Sequence, residues 1–182
     1  MLEQAQTRPH NLGEGKLHGI QENDIFYFLG VAHAGLGEAA KAAAWWTKAS
    51  TGLSEPTSAM FYNDQPPDMI FYQGLARQAL GRKTEAKAIF RKLVNYGRQH
   101  MKDDVKIDYF AVSLPDFLVF EDDLNARNRA HCHYMMALGY LGLGDAGKAQ
   151  THFREVLALN TAHLGAIMHQ KLFHNNDRHS ER

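Results

Sequence analysis

The segment MALGYLGLGDAGKAQTHFREVL, residues 136–157, has the pattern of two helices joined by a short turn. Leu143 and Gly144 stand at its centre, and glycine is the residue that most readily takes the left-handed conformation ending a helix. After the turn, Ala149 and Phe153 are four residues apart, which places them on one face of a helix. The segment therefore predicts a helical hairpin with one apolar side.

The same pattern occurs at two earlier places in the chain. A Leu-Gly pair is followed by an alanine and then by an aromatic residue; the copies are Leu36, Gly37, Ala42 and Trp46, then Leu80, Gly81, Ala86 and Phe90. Small residues before these pairs would let paired helices approach closely; they are Gly30, Gly74 and, in the third copy, Ala137. Because a lone hairpin cannot cover its own apolar side, we expect the hairpins to stack. The expected hairpins span about 23–50, 67–94 and 130–157, with insertions at 51–66 and 95–129 and a terminal helix at about 162–173, in one domain of residues 1–182.

This signature resembles the tetratricopeptide repeat (TPR), in which aromatic, Leu-Gly and alanine positions recur along helical hairpins. The resemblance implies an all-α fold, namely a right-handed superhelical array of hairpins with long inter-repeat insertions and a C-terminal helix. His33 and Arg77 stand where the family usually has an aromatic residue in the first helix. The repeats begin at about residues 23, 67 and 130, further apart than the family period of about 34 residues.

Three stretches outside the repeat motif carry a second resemblance. NLGEGKL at 11–17, MFYNDQPPD at 60–68 and KIDYFAVSLPDFLVF at 106–120 are similar to stretches in the C-terminal TPR region of large bacterial multidomain proteins of uncharacterised function. This resemblance implies a scaffold role. It also implies that residues 1–18 are the end of a preceding hairpin, so that an apolar stacking face near Ile25, Phe28 and Trp45 would be available for a sister domain or for a homodimer.

The TPR resemblance also implies a binding groove on the concave side of the first helices. Carried over by repeat position, the groove residues form an apolar, aromatic surface: Asp24, Tyr27, Val31, Asp68, Phe71, Leu75, Gln78, His131, Tyr134 and Leu138. The Lys and Asn residues with which some TPR proteins clamp a peptide carboxylate are missing from these positions. Either the groove binds a protein or peptide, or an insertion fills it. The apolar stretch from Ile107 to Phe120 is expected to pack on the first helices of the second and third hairpins.

Charge and composition exclude several classes of partner and compartment. Twenty Lys and Arg balance twenty Asp and Glu, so neither nucleic acid nor an anionic membrane is an expected partner. Cys132 is the single cysteine, which excludes an internal disulfide, and no apolar run approaches the roughly 20 residues of a spanning helix. The start MLEQAQTRPH lacks a signal-peptide pattern, so a reducing, cytoplasmic location is expected.

Catalysis and metal binding have weak support in the sequence. Among the eleven histidines, His131 and His133 are two residues apart and point about 200° away from each other on a helix, so no metal site is expected. No cofactor motif occurs either.

The leading interpretation is a non-catalytic protein–protein interaction scaffold. The alternatives are a hydrolase-like enzyme that uses acids of the 103–123 insertion with His131 or Arg77, and a purely structural spacer within a larger carbohydrate-related bacterial protein. The acids concerned are Asp103, Asp104, Asp108, Asp116, Glu121, Asp122 and Asp123.

Overall fold

The computed structural model describes residue 4 and residues 20–58, 66–105 and 123–177. These residues contain seven α-helices, and no strand occurs among them. The helices are α1 (Asn23–Gly35), α2 (Ala39–Ala49), α3 (Pro67–Ala79), α4 (Lys83–His100), α5 (Leu124–Leu143), α6 (Ala146–Leu159) and α7 (Leu164–Asp177). The all-α class is confirmed, and the described helices are compatible with a TPR-like helical repeat. The stretch Ile107–Phe120, the tail from 178 onward and, apart from residue 4, the proposed preceding hairpin end at residues 1–18 lie outside the described residues.

The three Leu-Gly pairs end the first helix of each hairpin in the same way. Gly37, Gly81 and Gly144 have φ values of 76°, 79° and 82°, in the left-handed region that favours glycine. In each turn the amide that follows the glycine donates back across the helix end. Those bonds run from Glu38 to the His33 carbonyl (2.9 Å), from Arg82 to Arg77 (2.8 Å) and from Asp145 to Tyr140 (2.9 Å). This is the Schellman pattern, which satisfies carbonyls left unpaired at a helix end. The predicted turn chemistry is confirmed.

Small residues allow the helices of a hairpin to approach closely, as the pattern predicted. A Cβ atom added at Gly30 would collide with the Trp46 indole, and one added at Gly74 would collide with the Phe90 ring. Ala137, the corresponding residue of the third hairpin, is fully buried. In the first two hairpins, the aromatic residue of the second helix therefore occupies the space that the glycine leaves.

The hairpins pack on one another in chain order. Helix α2 packs on α3 and α4 packs on α5, while α1 contacts α3 and α3 contacts α5 on the side of the first helices. The described apolar core is one cluster of contacting side chains from α3 through α7, with Phe90 and Phe153 among its largest members. Leu29, Ala42 and Ala49 are also buried, on α1 and α2, but they lie outside this cluster. The first hairpin is thus joined to the rest of the array outside this core.

Polar contacts tie the first hairpin to its following loop, and tie both to α3. The buried Asn23 amide donates to the carbonyls of Ala49 and Thr51, at 2.8 Å each. From α3, the Gln73 amide donates to the Leu53 carbonyl at 2.8 Å, and the Arg77 guanidinium donates to the Ser50 carbonyl at 3.1 Å. Arg77, which replaces a family aromatic, therefore links two hairpins.

Two helices extend beyond the bounds expected from the repeat motif. Helix α4 continues to His100, because Gly97 allows the α5 backbone to approach it closely and the Asn128 side chain donates to the His100 carbonyl at 2.8 Å. Helix α5 begins at Leu124, six residues before the motif, with the Asp123 carboxylate accepting from the Ala126 amide at 2.9 Å. Because α4 packs on α5, both ends of the insertion expected at 95–129 are helical in the structure.

Candidate binding groove

The residues expected to line the groove lie on α1, α3 and α5, and the structure divides nearly all of them between two cavities. Asp24, Asp68, His131 and Tyr134 line a cavity of about 1070 Å³, here called the acidic cavity. Tyr27, Val31, Phe71, Leu75 and Gln78 line a cavity of about 450 Å³, here called the aromatic cavity. Leu138 lines neither cavity, because α5 is packed between α3, α4 and α6 and this side chain is fully buried in the core.

The acidic cavity brings together carboxylates from separate helices. Glu22, Asp24, Asp68 and Asp123 line it, together with Arg127. Burial raises the pKa of the Asp68 carboxyl above its ordinary value. No described residue forms an ion pair with Asp24 or Asp68. The cavity thus has an acidic wall in which one carboxyl is held in a partly desolvated environment.

Two histidines at the acidic cavity are held in their neutral form by burial. The His131 ring Nε2 donates to the Thr57 carbonyl at 2.9 Å, and burial lowers the pKa of this imidazole. His163 lies with its ring centroid 4.6 Å from that of Tyr134, and burial lowers its pKa as well. The charge of the cavity wall at neutral pH therefore comes from the carboxylates and Arg127.

The terminal helix α7 places His169 between the two cavities. This side chain is 4% exposed. Its ring centroid lies 5.6 Å from those of Phe71 and Tyr72, which line the aromatic cavity, and 6.0 Å from that of Tyr134, which lines the acidic one. Among the described residues, it is therefore α7 that covers the middle of the expected groove. Whether the stretch 107–120 also packs there stays a prediction.

The aromatic cavity is apolar, with its open rim on α1 and α3. Tyr27 and Phe28 from α1 contact Tyr72 from α3, at centroid distances of 5.7 and 5.5 Å. Val31 is 43% exposed and Gln78 is exposed, so these two residues form the accessible rim. Burial raises the pKa of Tyr27 and Tyr72, so both hydroxyls stay protonated at neutral pH. Such a surface suits an apolar group that carries few polar atoms.

Ile25, Phe28 and Trp45, expected on an uncovered stacking face, do not share one surface. Ile25 lines the acidic cavity and Phe28 lines the aromatic cavity, so both belong to the groove side of α1. Trp45 is half-buried and stacks on Phe26, with 5.8 Å between ring centroids. Three consecutive aromatic residues, 26–28, necessarily point to different sides of a helix, and this register separates Phe28 from Trp45.

The acids considered for catalysis make local contacts where the structure describes them. Asp103 lies 2.7 Å from the His100 ring, and the Asn125 amide donates to Asp104 at 3.4 Å. Asp123 lines the acidic cavity together with His131, but its carboxylate caps α5 and the His131 ring is bound to the Thr57 carbonyl. Asp108, Asp116, Glu121 and Asp122 lie outside the described residues. In the described part, the acids do not assemble with Arg77.

The described residues provide neither a metal-binding site nor a reactive thiol. His133 and His152 face each other with their Nδ1 atoms 2.9 Å apart, yet no described group of three or more His, Cys, Asp or Glu side chains could hold a metal ion. Cys132 is fully buried, and burial raises the pKa of its thiol to about 12. No described helix is long and apolar enough to cross a membrane.

Sequence reasoning missed three residues of the groove: Phe28, Tyr72 and His169. The first two adjoin predicted residues in the aromatic runs 26–28 and 71–72, and those runs could have signalled that the apolar surface is wider than one helical stripe. No comparable signal existed for His169. Its helix is only weakly amphipathic, and its place between α3 and α5 depends on how α7 folds back.

The comparison with known families supports the repeat interpretation at two of the three hairpins. The tetratricopeptide repeat family model matches residues 26–46 and 130–155. The first match covers most of α1 and part of α2, and the second covers most of α5 and α6. No solved structure matches the chain significantly. The chain is therefore TPR-like, and the middle hairpin shares the turn geometry of the two matched hairpins.

Proposed function

We propose that this chain is a non-catalytic protein-interaction module that binds a polypeptide segment in the groove formed by α1, α3 and α5. The proposal rests on the two cavities, which are lined by residues from the first helices of successive hairpins. TPR repeats generally mediate protein–protein interaction, and first helices supply the binding side chains in that class. A partner segment would place apolar side chains in the aromatic cavity while its backbone follows the rim at Val31 and Gln78.

The charge and chemistry of the groove define the class of partner. The aromatic cavity offers apolar walls, and the neighbouring acidic cavity would repel phosphates, which agrees with the balanced charge of the whole chain. A polypeptide is therefore favoured over nucleic acid. The resemblance to the C-terminal repeat region of large bacterial proteins makes a sister domain a candidate partner, beside a separate protein or a second copy of this chain.

Selection from a displayed peptide library tests the proposal. We expect selected peptides to bind the wild-type chain and to lose affinity for Val31→Arg and Gln78→Arg, which alter exposed groove positions without disturbing the core. The matched controls are Leu36→Arg and Gln99→Arg, at exposed positions that line neither cavity. Light scattering on each variant separates self-association from peptide binding.

Two outcomes would overturn the proposal. Peptides that bind the groove variants and the controls with equal affinity would place the interaction elsewhere on the surface. Failure of a diverse library to yield any binder, with a folded wild-type chain, would remove the groove as a peptide site.

A further inference from the structure

Within the described part of the chain, the hydrogen bonds of His169 leave one ring nitrogen without a partner. Nδ1 lies 2.7 Å from the Gly165 carbonyl, which can only accept, so Nδ1 carries the proton. In the neutral imidazole, Nε2 then has only a lone pair to offer. Nε2 is buried and has no hydrogen-bond partner among the described residues. The Tyr134 hydroxyl is 3.2 Å from Nδ1, on the nitrogen that is already protonated, and so it does not satisfy Nε2.

The protonation state of His169 follows from its surroundings. The charged groups that face it are Asp68 on α3 and Asp24 on α1, both of which favour the imidazolium, while the rings of Phe71 and Tyr72 desolvate it. Burial has the larger effect and lowers the pKa of His169. The ring is therefore neutral at physiological pH, and Nε2 is a buried acceptor. An unpaired buried acceptor is unfavourable, so a bound donor would be favoured there.

The aromatic cavity that His169 lines is suited to a ring rather than a charged group. The other described lining residues include Tyr27, Val31, Leu75 and Leu141, and none of the described lining residues is charged. Aromatic walls favour offset or edge-to-face packing with another ring, and an ion would lose its hydration without gaining a counter-charge. The volume of about 450 Å³ falls within the range of about 300–1,000 Å³ typical of ligand pockets.

We infer that the aromatic cavity is a subsite for a tryptophan side chain of a partner polypeptide, whose indole N–H donates to Nε2 of His169. Indole combines an apolar body with a single donor and no acceptor, which matches one unpaired acceptor in an apolar cavity. Because His169 lines this cavity, an indole bound there would lie against the imidazole ring. The inference rests on the proposed function, since it names the side chain that the groove selects.

A pair of small probes isolates the hydrogen bond. Indole and 1-methylindole have the same ring system, but only indole has the N–H donor. Titration of each into the full chain, followed by amide chemical shifts in NMR, gives the two affinities. We expect indole to bind about tenfold more tightly than 1-methylindole, the effect of one hydrogen bond to a buried acceptor. The ring ¹⁵N resonance of Nε2 in His169 should shift with indole and stay unchanged with 1-methylindole.

His169→Phe supplies the control, because it keeps an aromatic ring and removes the acceptor. In this variant we expect both probes to bind equally, with the affinity for 1-methylindole preserved. Equal affinities for the wild-type chain, an indole preference that persists in His169→Phe, or binding of neither probe would each overturn the inference. If the variant does not fold, the ¹⁵N shift in the wild-type chain decides alone.

The outcomes also separate this inference from the proposed function. Selected peptides that depend on Val31 and Gln78 but contain no tryptophan would leave the interaction role intact and refute the indole subsite. Indole binding without any selected peptide would instead indicate a small-molecule pocket and refute both the interaction role and the peptide subsite.

Discussion

Replacement of Gly74 by alanine should destabilise the protein relative to the same replacement at an open helical position. A Cβ atom at Gly74 would collide with the Phe90 ring and would lie 2.8 Å from its Cζ atom. The ring has no room to move away, because Phe90 is fully buried and a Cβ at Gly142, on α5, would meet the same ring. Gly147, on α6, is the matched control, since its added Cβ would have no neighbour closer than 4.0 Å.

Two opposing effects set the magnitude. Alanine in place of glycine within a helix stabilises by about 0.5–1 kcal/mol, and this benefit applies at both positions, although less fully at Gly147 in the first turn of α6. Overpacking of a filled core costs about 1–3 kcal/mol and applies only at Gly74. The two variants should therefore differ by about 1–3 kcal/mol in unfolding free energy, with Gly147→Ala the more stable. A difference of 1 kcal/mol corresponds to about 2–4 °C in melting temperature for a chain of this length.

Urea unfolding followed by circular dichroism measures this difference, and a double-mutant cycle assigns its cause. In a Phe90→Leu background the ring is gone, so Gly74→Ala should cost less, with a coupling energy of about 0.5–3 kcal/mol. The reasoning fails if Gly74→Ala stabilises as much as Gly147→Ala. It also fails if the cost of Gly74→Ala is the same in both backgrounds.

Three further predictions concern pH, capping and the second insertion. Burial lowers the folded-state pKa of five histidines below 6.5, so the unfolded chain binds more protons than the folded chain as the pH falls. The free energy of unfolding should therefore be highest above about pH 6.5 and decrease at lower pH. A urea midpoint that increases as the pH is lowered from about 7.5 to about 5.5 would contradict this. The histidines are His131, His133, His152, His163 and His169. Asp123→Ala should cost about 1 kcal/mol through loss of the α5 cap, whereas Asp123→Asn should cost little because asparagine caps equally well, as urea titrations of both would show. Phe110→Ala and Phe117→Ala should each cost a few kcal/mol if the stretch 107–120 packs on the first helices, and limited proteolysis that cuts there rapidly in the native chain would refute that packing.

The elements fixed by local chemistry could be predicted from sequence, and those fixed by distant packing could not. Gly144 is recognisable because a left-handed helix end needs glycine whatever surrounds it, and Phe153 because a buried stripe repeats at helical spacing. The extension of α4 to His100 depends on Asn128, which lies in another helix and gives no local signal. In the groove, repeat positions identified Tyr27, Phe71 and their neighbours as lining residues. They did not predict the division into two cavities, because α7 creates that division and its partners are far away in sequence.

Helices α1 and α2 contribute no side chain to the described apolar core, so the first hairpin should unfold separately from the rest of the array. Repeat arrays behave as chains of units coupled to their neighbours, and the weakest coupling opens first. The first hairpin and its loop are joined to α3 by the hydrogen bonds of Gln73 and Arg77 and by ring contacts with Tyr72, whereas the second and third hairpins share Phe90 and its surroundings. Amide hydrogen exchange should therefore show α1 and α2 opening as a separate cooperative unit, ahead of the rest. Since α1 supplies one wall of the aromatic cavity, a ligand bound there would slow exchange throughout the first hairpin, far beyond the residues it touches.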